Sequence, residues 1–495
     1  MEFASIFFIE LFLPLMAGIY YLLGLIKNDS AKTTARNIFL LLCSMVFYAW
    51  GGIIQLGLFV GTILFNFLFG ILIERAKNNR QKGGAKALLA LSVTVNALLL
   101  ALFKYFTMFW SIGARTASEG NFFRVLFTFD GTAANGIYRL AMPLAISFIT
   151  FQAIAYLADV YLDKIHACRN ILTFSLFMSL LCQLTQGPIM RYGELAPQIA
   201  KRTHSLDNFR LGIKRFIYGL GKKVLIANTL GAAADKIWGA EKISSLGSGI
   251  AWLGILLYTL QIYYDFSGYT DMAIGIGKMF GFRIAENFDY PYTSLSIQEF
   301  WRRWHISLSS WFRDYIYIPL GGSRVSKGRI FFNLAVVFFV TGIWHGANLT
   351  FILWGLLFAL FSIIERAFLG GLLKKNPVKP VNWIYTTFVV MMGWVLFRSA
   401  SLQRAFEYFG QLFSFKPSPE GYTVLSYLNF EVLAAIIAGI LLCGFVQRPL
   451  RKLYEKLSYN PVFMCIDALV QLGILAWSIL MLVAGSYNPS IYGNF

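Results

Sequence analysis

Charge is scarce in this chain. Only 14% of its 495 residues are Asp, Glu, Lys or Arg, and only four are histidine. Soluble domains run to about 25% charged and roughly 45–50% apolar residues, whereas 57% here are hydrophobic and 17% aromatic. That excludes an ordinary soluble domain. The five cysteines (Cys43, Cys168, Cys182, Cys443 and Cys465) are scattered, mostly in apolar surroundings, and offer neither a metal-ligand pattern nor a disulfide framework. No GxxxxGK[ST] phosphate loop and no G-x-S-x-G nucleophile elbow occurs. Hydrolysis by a serine nucleophile or by zinc is thus unsupported, and no tightly bound cofactor is expected. The opening MEFASIFFIELFLPLM has no basic n-region and no small-residue cleavage pattern, so it reads as a retained first span.

What the chain does have is long apolar runs. They mark candidate spans near 5–26, 37–52, 53–75, 86–106, 138–158, 213–238, 248–280, 330–346, 350–368, 382–398, 427–447 and 461–485. At roughly 20 residues per crossing, this is an all-α polytopic membrane protein of about 11–12 transmembrane helices. The run 171–187 is short and ends in Gln183, Gln186, Gly187 and Pro188, which suits a re-entrant or interfacial segment. The formal charge is +19, and the basic residues gather in short loops: around Lys27, Lys32 and Arg36, then 75–86, 201–223, 302–329, 366–379 and 448–456. The loops 107–137, 239–247 and 399–426 carry few. Alternation of the two sets puts the basic loops in the cytoplasm, beside anionic lipid, and both termini outside. With no basic folded module, nucleic acid is not an expected partner. No internal repeat supports a repeat-built transporter.

Polar residues inside apolar runs are the candidates for chemistry. His345 lies in FFVTGIWHGAN (Phe338–Asn348), at the outer end of the eighth span. Gly342 and Gly346, one turn apart, would let a backbone or ligand approach, and Asn348 shares a face with His345 if the helix continues. His345 reads equally as a buried, hydrogen-bonded residue or as a base. The long connection 281–329 holds QEFWRRWHISLSSWFRDYIY, where Trp301, Trp304, His305, Leu308, Trp311 and Phe312 fall at helical spacing. The expected element is one amphipathic helix over Gln298–Tyr317, its aromatic face at the interface and Arg302, Arg303 and Arg313 near headgroups. His166 and His204 sit in basic loops and read as surface residues. A second polar cluster, Gln261–Phe282, places Asp265 and Asp271 within the seventh span, where they must face a protein interior or a water-filled cavity, or pair with Arg or Lys from the basic segment after the span. A third, QLTQGPIMRYGEL (Gln183–Leu195), sets Gly187 and Pro188 beside Arg191 and Glu194 and suits a loop lining a cavity.

Several of these stretches together resemble a known family. YYDFSGYTDMAIGIG, PYTSLSIQEFWRRWHISLSSWFRDYIYIPLGGSR and TGIWHGANLTFILWG are similar to segments of the membrane-bound O-acyltransferases, nearest the bacterial alginate O-acetyltransferase (AlgI-like) branch. FYAWGG (Phe47–Gly52), PLAISFITFQAIAYLADVY (Pro143–Tyr161) and QGPIMRY (Gln186–Tyr192) extend the likeness over nearly the whole chain. The resemblance implies one membrane-embedded domain over 1–495 around a central tunnel. Residues 281–329 would be its cytoplasmic or interfacial catalytic segment, and 330–368 the helices carrying the second histidine. It implies acyl transfer from a cytoplasmic thioester, acetyl-CoA or an acylated carrier protein, to an acceptor outside. His345 matches the family's catalytic histidine and His305 its second polar position. With His345 as general base, Asn348 or a backbone N–H would steady the imidazole or the oxyanion. Trp304, Asp265 and Tyr264 would line or brace the tunnel, and Arg302 and Arg303 would receive the donor.

The implied product is an O-acetylated extracellular or cell-wall polysaccharide, made with an extracytoplasmic SGNH-type partner at the bacterial cytoplasmic (inner) membrane. D-alanyl transfer to teichoic acid remains open. So do an ion-coupled transporter built on Asp265 and Asp271 and a scaffolding subunit of an export complex. The tail SYNPSIYGNF raises Tyr492 as a transient acyl carrier, against the plainer role of an aromatic anchor.

Overall fold

The computed structural model describes residues 2–113, 143–418, 423–458, 460–485 and 487–489, with 106–113 described by backbone alone. Tyr492 lies outside the described residues. Every regular element among them is helical. Seven helices are long and apolar enough to cross a membrane: Phe8–Leu25, Ile53–Asn78, Lys82–Tyr105, Lys327–His345, Leu349–Lys375, Lys379–Arg398 and Pro461–Val483. An eighth is added if Phe430–Phe445 and Gln447–Leu457, bent by 76°, count as one broken span. The chain is a multi-pass membrane protein.

The remaining apolar runs are helical too, but shorter or more polar. Ile146–Tyr161 has only 16 residues. Asp29–Ala49 carries its charged residues in the N-terminal half, and the stretch from Leu206 to Trp238 is interrupted by a π-helical turn, Lys222–Asn228, with Lys223 buried in it. Ser248–Met279 is 32 residues long and carries Gln261, Asp265 and Asp271, all buried. These helices can hold polar side chains because protein, not lipid, surrounds those groups.

The chain forms two compact units. The first contains the chain up to Ile213 together with Ala273–Ala285; the second contains Lys214–Met272 and the chain from Glu286. In the first unit, Ile53–Asn78 and Lys82–Gly113 are held by a reciprocal amide pair. Asn66 Nδ2 donates to Asn96 Oδ1 at 3.2 Å, and Asn96 Nδ2 donates back to Asn66 Oδ1 at 2.8 Å. Both side chains are buried, and such pairs join membrane helices where apolar contact has no advantage over lipid. Residues 171–187 form the nine-residue helix Ile171–Ser179 and the buried turn Leu181–Gln183, too short to cross. Glu194 accepts the Arg191 backbone N–H at 3.4 Å and so caps Tyr192–Ala200.

In the second unit, Lys327–His345 and Leu349–Ile364 form a tight helical hairpin. A Cβ at Gly342 would stand 2.6 Å from the Phe351 carbonyl oxygen, and one at Gly355 would stand 2.3 Å from that of Phe338. Only glycine at both positions lets the two backbones come this close. The hairpin turns at Gly346 and Asn348, directly after His345.

Candidate active site

The expected single helix over Gln298–Tyr317 is instead two short ones, Ile297–Arg303 and Ile306–Phe312, followed by the π-helical turn Arg313–Tyr317. The break falls at Trp304 and His305. His305 adopts left-handed φ/ψ of 46° and 55°, unusual for a non-glycine residue and a form of strain that collects at functional sites. Nor does the aromatic face lie against lipid. Phe300, Trp304, His305 and Trp311 are all 4% exposed or less. Trp304 stacks 5.5 Å from Phe300 and lies 5.0 Å from Trp394, centroid to centroid. Glu365 fixes the first short helix in place: its carboxylate accepts the backbone N–H groups of Ile297 at 2.6 Å and Gln298 at 3.0 Å.

Asn287, not singled out by sequence, organises His305. Its Oδ1 accepts from His305 Nδ1 at 3.1 Å, from the Ser307 N–H at 3.1 Å and from the Ser307 hydroxyl at 2.9 Å. An amide oxygen is acceptor only, so Nδ1 carries the hydrogen and the lone pair of the neutral ring sits on Nε2. Burial pushes the His305 pKa down to about 3, which keeps that ring neutral.

His345 ends its helix and is 6% exposed. Its ring is caged by aromatics: Trp344 at 4.6 Å, Trp354 at 4.9 Å and Phe397 at 4.9 Å between centroids, each roughly edge to face. Trp344 also lies 6.5 Å from His305. The two histidines, forty positions apart in sequence, therefore flank one indole. Beside them, the indole N–H groups of Trp301 and Trp354 are buried and without a hydrogen-bond partner among the described residues. Their rings are 5.7 Å apart. A buried donor left unpaired is costly, so these two are suited to a substrate oxygen.

The other predicted site residues are placed as follows. Asn348 does not share a helix face with His345, because the helix ends at His345 and Asn348 opens the next one. Its Oδ1 caps Leu349–Ile364 through the Thr350 N–H at 3.2 Å, and its Nδ2 donates to the Ala400 carbonyl at 2.6 Å. Tyr264 is fully buried, and its hydroxyl donates to the Gly439 carbonyl at 2.7 Å. Asp265 is ion-paired with buried Lys223. Asp271 meets both Arg215 and Lys222 at 2.6 Å. These cations come from the segment before the seventh span rather than after it. Arg303 pairs with Glu299 and donates to the Thr293 hydroxyl at 3.1 Å. Arg302 is exposed. Among the described residues, no group of three or more His, Cys, Asp and Glu side chains gathers as metal ligands would.

Residues 96–403 match the family model of the membrane-bound O-acyltransferases. The chain belongs to that family. This O-acyltransferase is 41% identical to the probable alginate O-acetylase AlgI of Pseudomonas aeruginosa over 446 residues, covering 90% of the chain and 80% of the relative. It is 36% identical to a peptidoglycan O-acetyltransferase of Helicobacter pylori, covering 80% and 77%. With a teichoic acid D-alanyltransferase of Streptococcus thermophilus the identity is 30%, over 53% of the chain and 70% of the relative. The family match spans the whole constellation of the O-acyltransferase: Asn287, Trp301, His305, His345 and Trp354.

Proposed function

We propose that the protein moves an acetyl group from a cytoplasmic thioester, acetyl-CoA or an acylated carrier protein, across the membrane to an acceptor hydroxyl, for O-acetylation of an extracytoplasmic polysaccharide, alginate being the first polymer to test. The observation that carries this reading is the pairing of His345 and His305 across Trp344 in a buried aromatic cage. The names of the acetylating relatives support the acyl group and the acceptor class.

His345 is the general base. It takes the hydroxyl proton as that oxygen attacks the thioester carbonyl carbon, and the indole N–H groups of Trp301 and Trp354 receive the developing oxyanion. Collapse breaks the C–S bond. The thiolate leaves with the proton returned by the imidazolium, so the products are an ester and a thiol. The aromatic walls keep water from the thioester. His305, neutral and with its lone pair on Nε2, accepts a hydrogen bond from the donor or acceptor chain. Arg302 and Arg303 receive the donor on the basic side.

In this reading the protein sits in the cytoplasmic membrane of a bacterium with both termini outside, surrounded by lipid, and an SGNH-type partner completes delivery to the polymer. Tyr492 is then available outside as an acyl carrier; full polymer acetylation by Tyr492→Phe would remove that role. The relatives that move D-alanine favour a second acyl group, and mass analysis of the released acyl group separates the two. The deciding experiment compares polymer O-acetyl content in cells carrying wild type and His345→Ala at matched membrane abundance. Loss of a general base costs about 10²–10⁴-fold in rate, so acetyl should fall to background. Unchanged acetylation would remove His345 from the chemistry.

A further inference from the structure

Two arginines of the first unit share one aromatic ring and have no counter-charge among the described residues. Arg36 is 9% exposed, with its Cζ 4.8 Å from the Tyr20 ring centroid. Arg202 has its Cζ 5.8 Å from the same ring and 4.5 Å from that of Phe282. Arg36 Nε donates to the Tyr20 carbonyl at 3.3 Å. Arg202 Nε donates to the Tyr20 hydroxyl at 3.0 Å and the Phe280 carbonyl at 3.2 Å, and its Nη1 donates to Asn37 Oδ1 at 2.8 Å. His204 closes the ring of contacts. Its Nδ1 accepts from Arg36 Nη1 at 3.5 Å, so Nε2 carries the hydrogen and donates to the Tyr20 hydroxyl at 2.8 Å. That hydroxyl donates onward to the Phe280 carbonyl at 3.2 Å.

Every partner in this network is neutral. Among the described residues no carboxylate forms an ion pair with either guanidinium, and Arg202 Nη2 is buried without a partner. Neither arginine can shed its proton. Contact with aromatic faces and neutral hydrogen bonds return only part of the hydration these cations give up. Removing a charge from water costs several kcal/mol per ion, and the two like charges repel. His204 registers that field: burial and the two flanking guanidiniums push its pKa down to about 4. Glycine at position 24 preserves the room, since a Cβ there would stand 2.3 Å from Arg36 Nη2.

We propose that Arg36 and Arg202 form a phosphate-binding site, with Tyr20 as its floor and His204 as a neutral fourth member. The planar fork of arginine matches phosphate oxygens two at a time, and a ligand charge of one or two would neutralise the pair. The phosphate belongs to a lipid headgroup or to a phosphate-bearing soluble ligand. The site uses none of the residues assigned to acyl transfer and stands whether or not that reading holds.

The test uses the full-length protein in a neutral detergent and phosphate-free buffer, with two probes: short-chain phosphatidylglycerol and coenzyme A. The melting temperature and the His204 imidazole resonances are followed during each titration. At saturation one probe raises the melting point by about 3 °C or more and moves the His204 pKa upward from about 4, because an anion now faces the ring. Arg202→Gln weakens that probe about tenfold or more, and Arg36→Lys, which keeps charge without the fork, falls between. A response to phosphatidylglycerol alone assigns the site to lipid, and one to coenzyme A alone assigns it to a soluble donor. If Arg202→Gln does not fold, the wild-type His204 shift and Arg36→Lys decide. No response of wild type to either probe, or an equal response in Arg202→Gln, overturns the proposal.

Discussion

At the scale of single residues, the site depends on which atom of each ring carries a hydrogen. Asn287 settles this for His305 by taking three hydrogen bonds on one oxygen. Asn287→Leu should strand those donors at a cost of about 1–3 kcal/mol each and lower acetyl transfer about tenfold or more as the ring loses its fixed tautomer. Asn287→Asp, which keeps an acceptor oxygen, should recover most of the activity; polymer acetyl content and melting temperature together check both. Stability should also respond to pH through buried histidines. In the unfolded chain a histidine titrates near 6.5, whereas burial holds His305 down to about 3 and His204 down to about 4. Below pH 6.5 the unfolded state therefore binds protons that the fold refuses. Stability is fully present above about pH 7 and is lost as pH falls toward 5, by up to about 1.4 kcal/mol per pH unit for each histidine. Melting curves between pH 7 and 5 should flatten in His305→Asn. His345 and His305 were legible in the sequence because a histidine in apolar surroundings is conspicuous. Asn287 was not, since a neutral amide in a polar connection gives no signal until its neighbours are known.

Elements were legible to different depths. Apolar runs identified the helices, but spacing alone joined Gln298–Tyr317 into one. Nothing in a run of helix-compatible residues announces that His305 will turn left-handed, because the packing of Trp304 and the grip of Asn287 impose that turn from other elements. The carboxylates of the seventh span show the reverse case. Their need for partners was plain, while the source of the partners, one helix earlier, was not. Asp265→Leu should leave Lys223 as an uncompensated buried cation and cost about 3–5 kcal/mol, whereas the double variant Asp265→Leu/Lys223→Met should regain most of that loss. Acetylation by the folded double variant would place the pair in the scaffold. Its abolition at normal abundance would favour an ion-coupled role for Asp265. Gly342 and Gly346 announced only that a backbone or a ligand could come close after Lys327; that the neighbour is the next helix, with Gly355 answering Gly342 across the interface, required the fold.

At the scale of the molecule, membrane residence and the helical class followed from composition and run length alone. The division into two units did not, because the long helix Ser248–Met279 contributes to both and shows no break in its sequence. Much of the polar inventory that composition made look sparse is buried: the paired carboxylates Asp265 and Asp271, the amides of Asn66, Asn96 and Asn287, and a histidine held neutral at position 305. The reciprocal pair of Asn66 and Asn96 bears on how such a chain is made. Ribosomes deliver helices to the membrane one after another, and each asparagine arriving alone would present its amide to lipid. Here the second partner follows the first across a short turn, so the hairpin can close at the insertion site before any later segment exists. Assembly of the first unit would thus begin with two side chains that have no part in acyl transfer, and their loss would be read as reduced yield in the membrane, with the specific activity of the surviving protein unchanged.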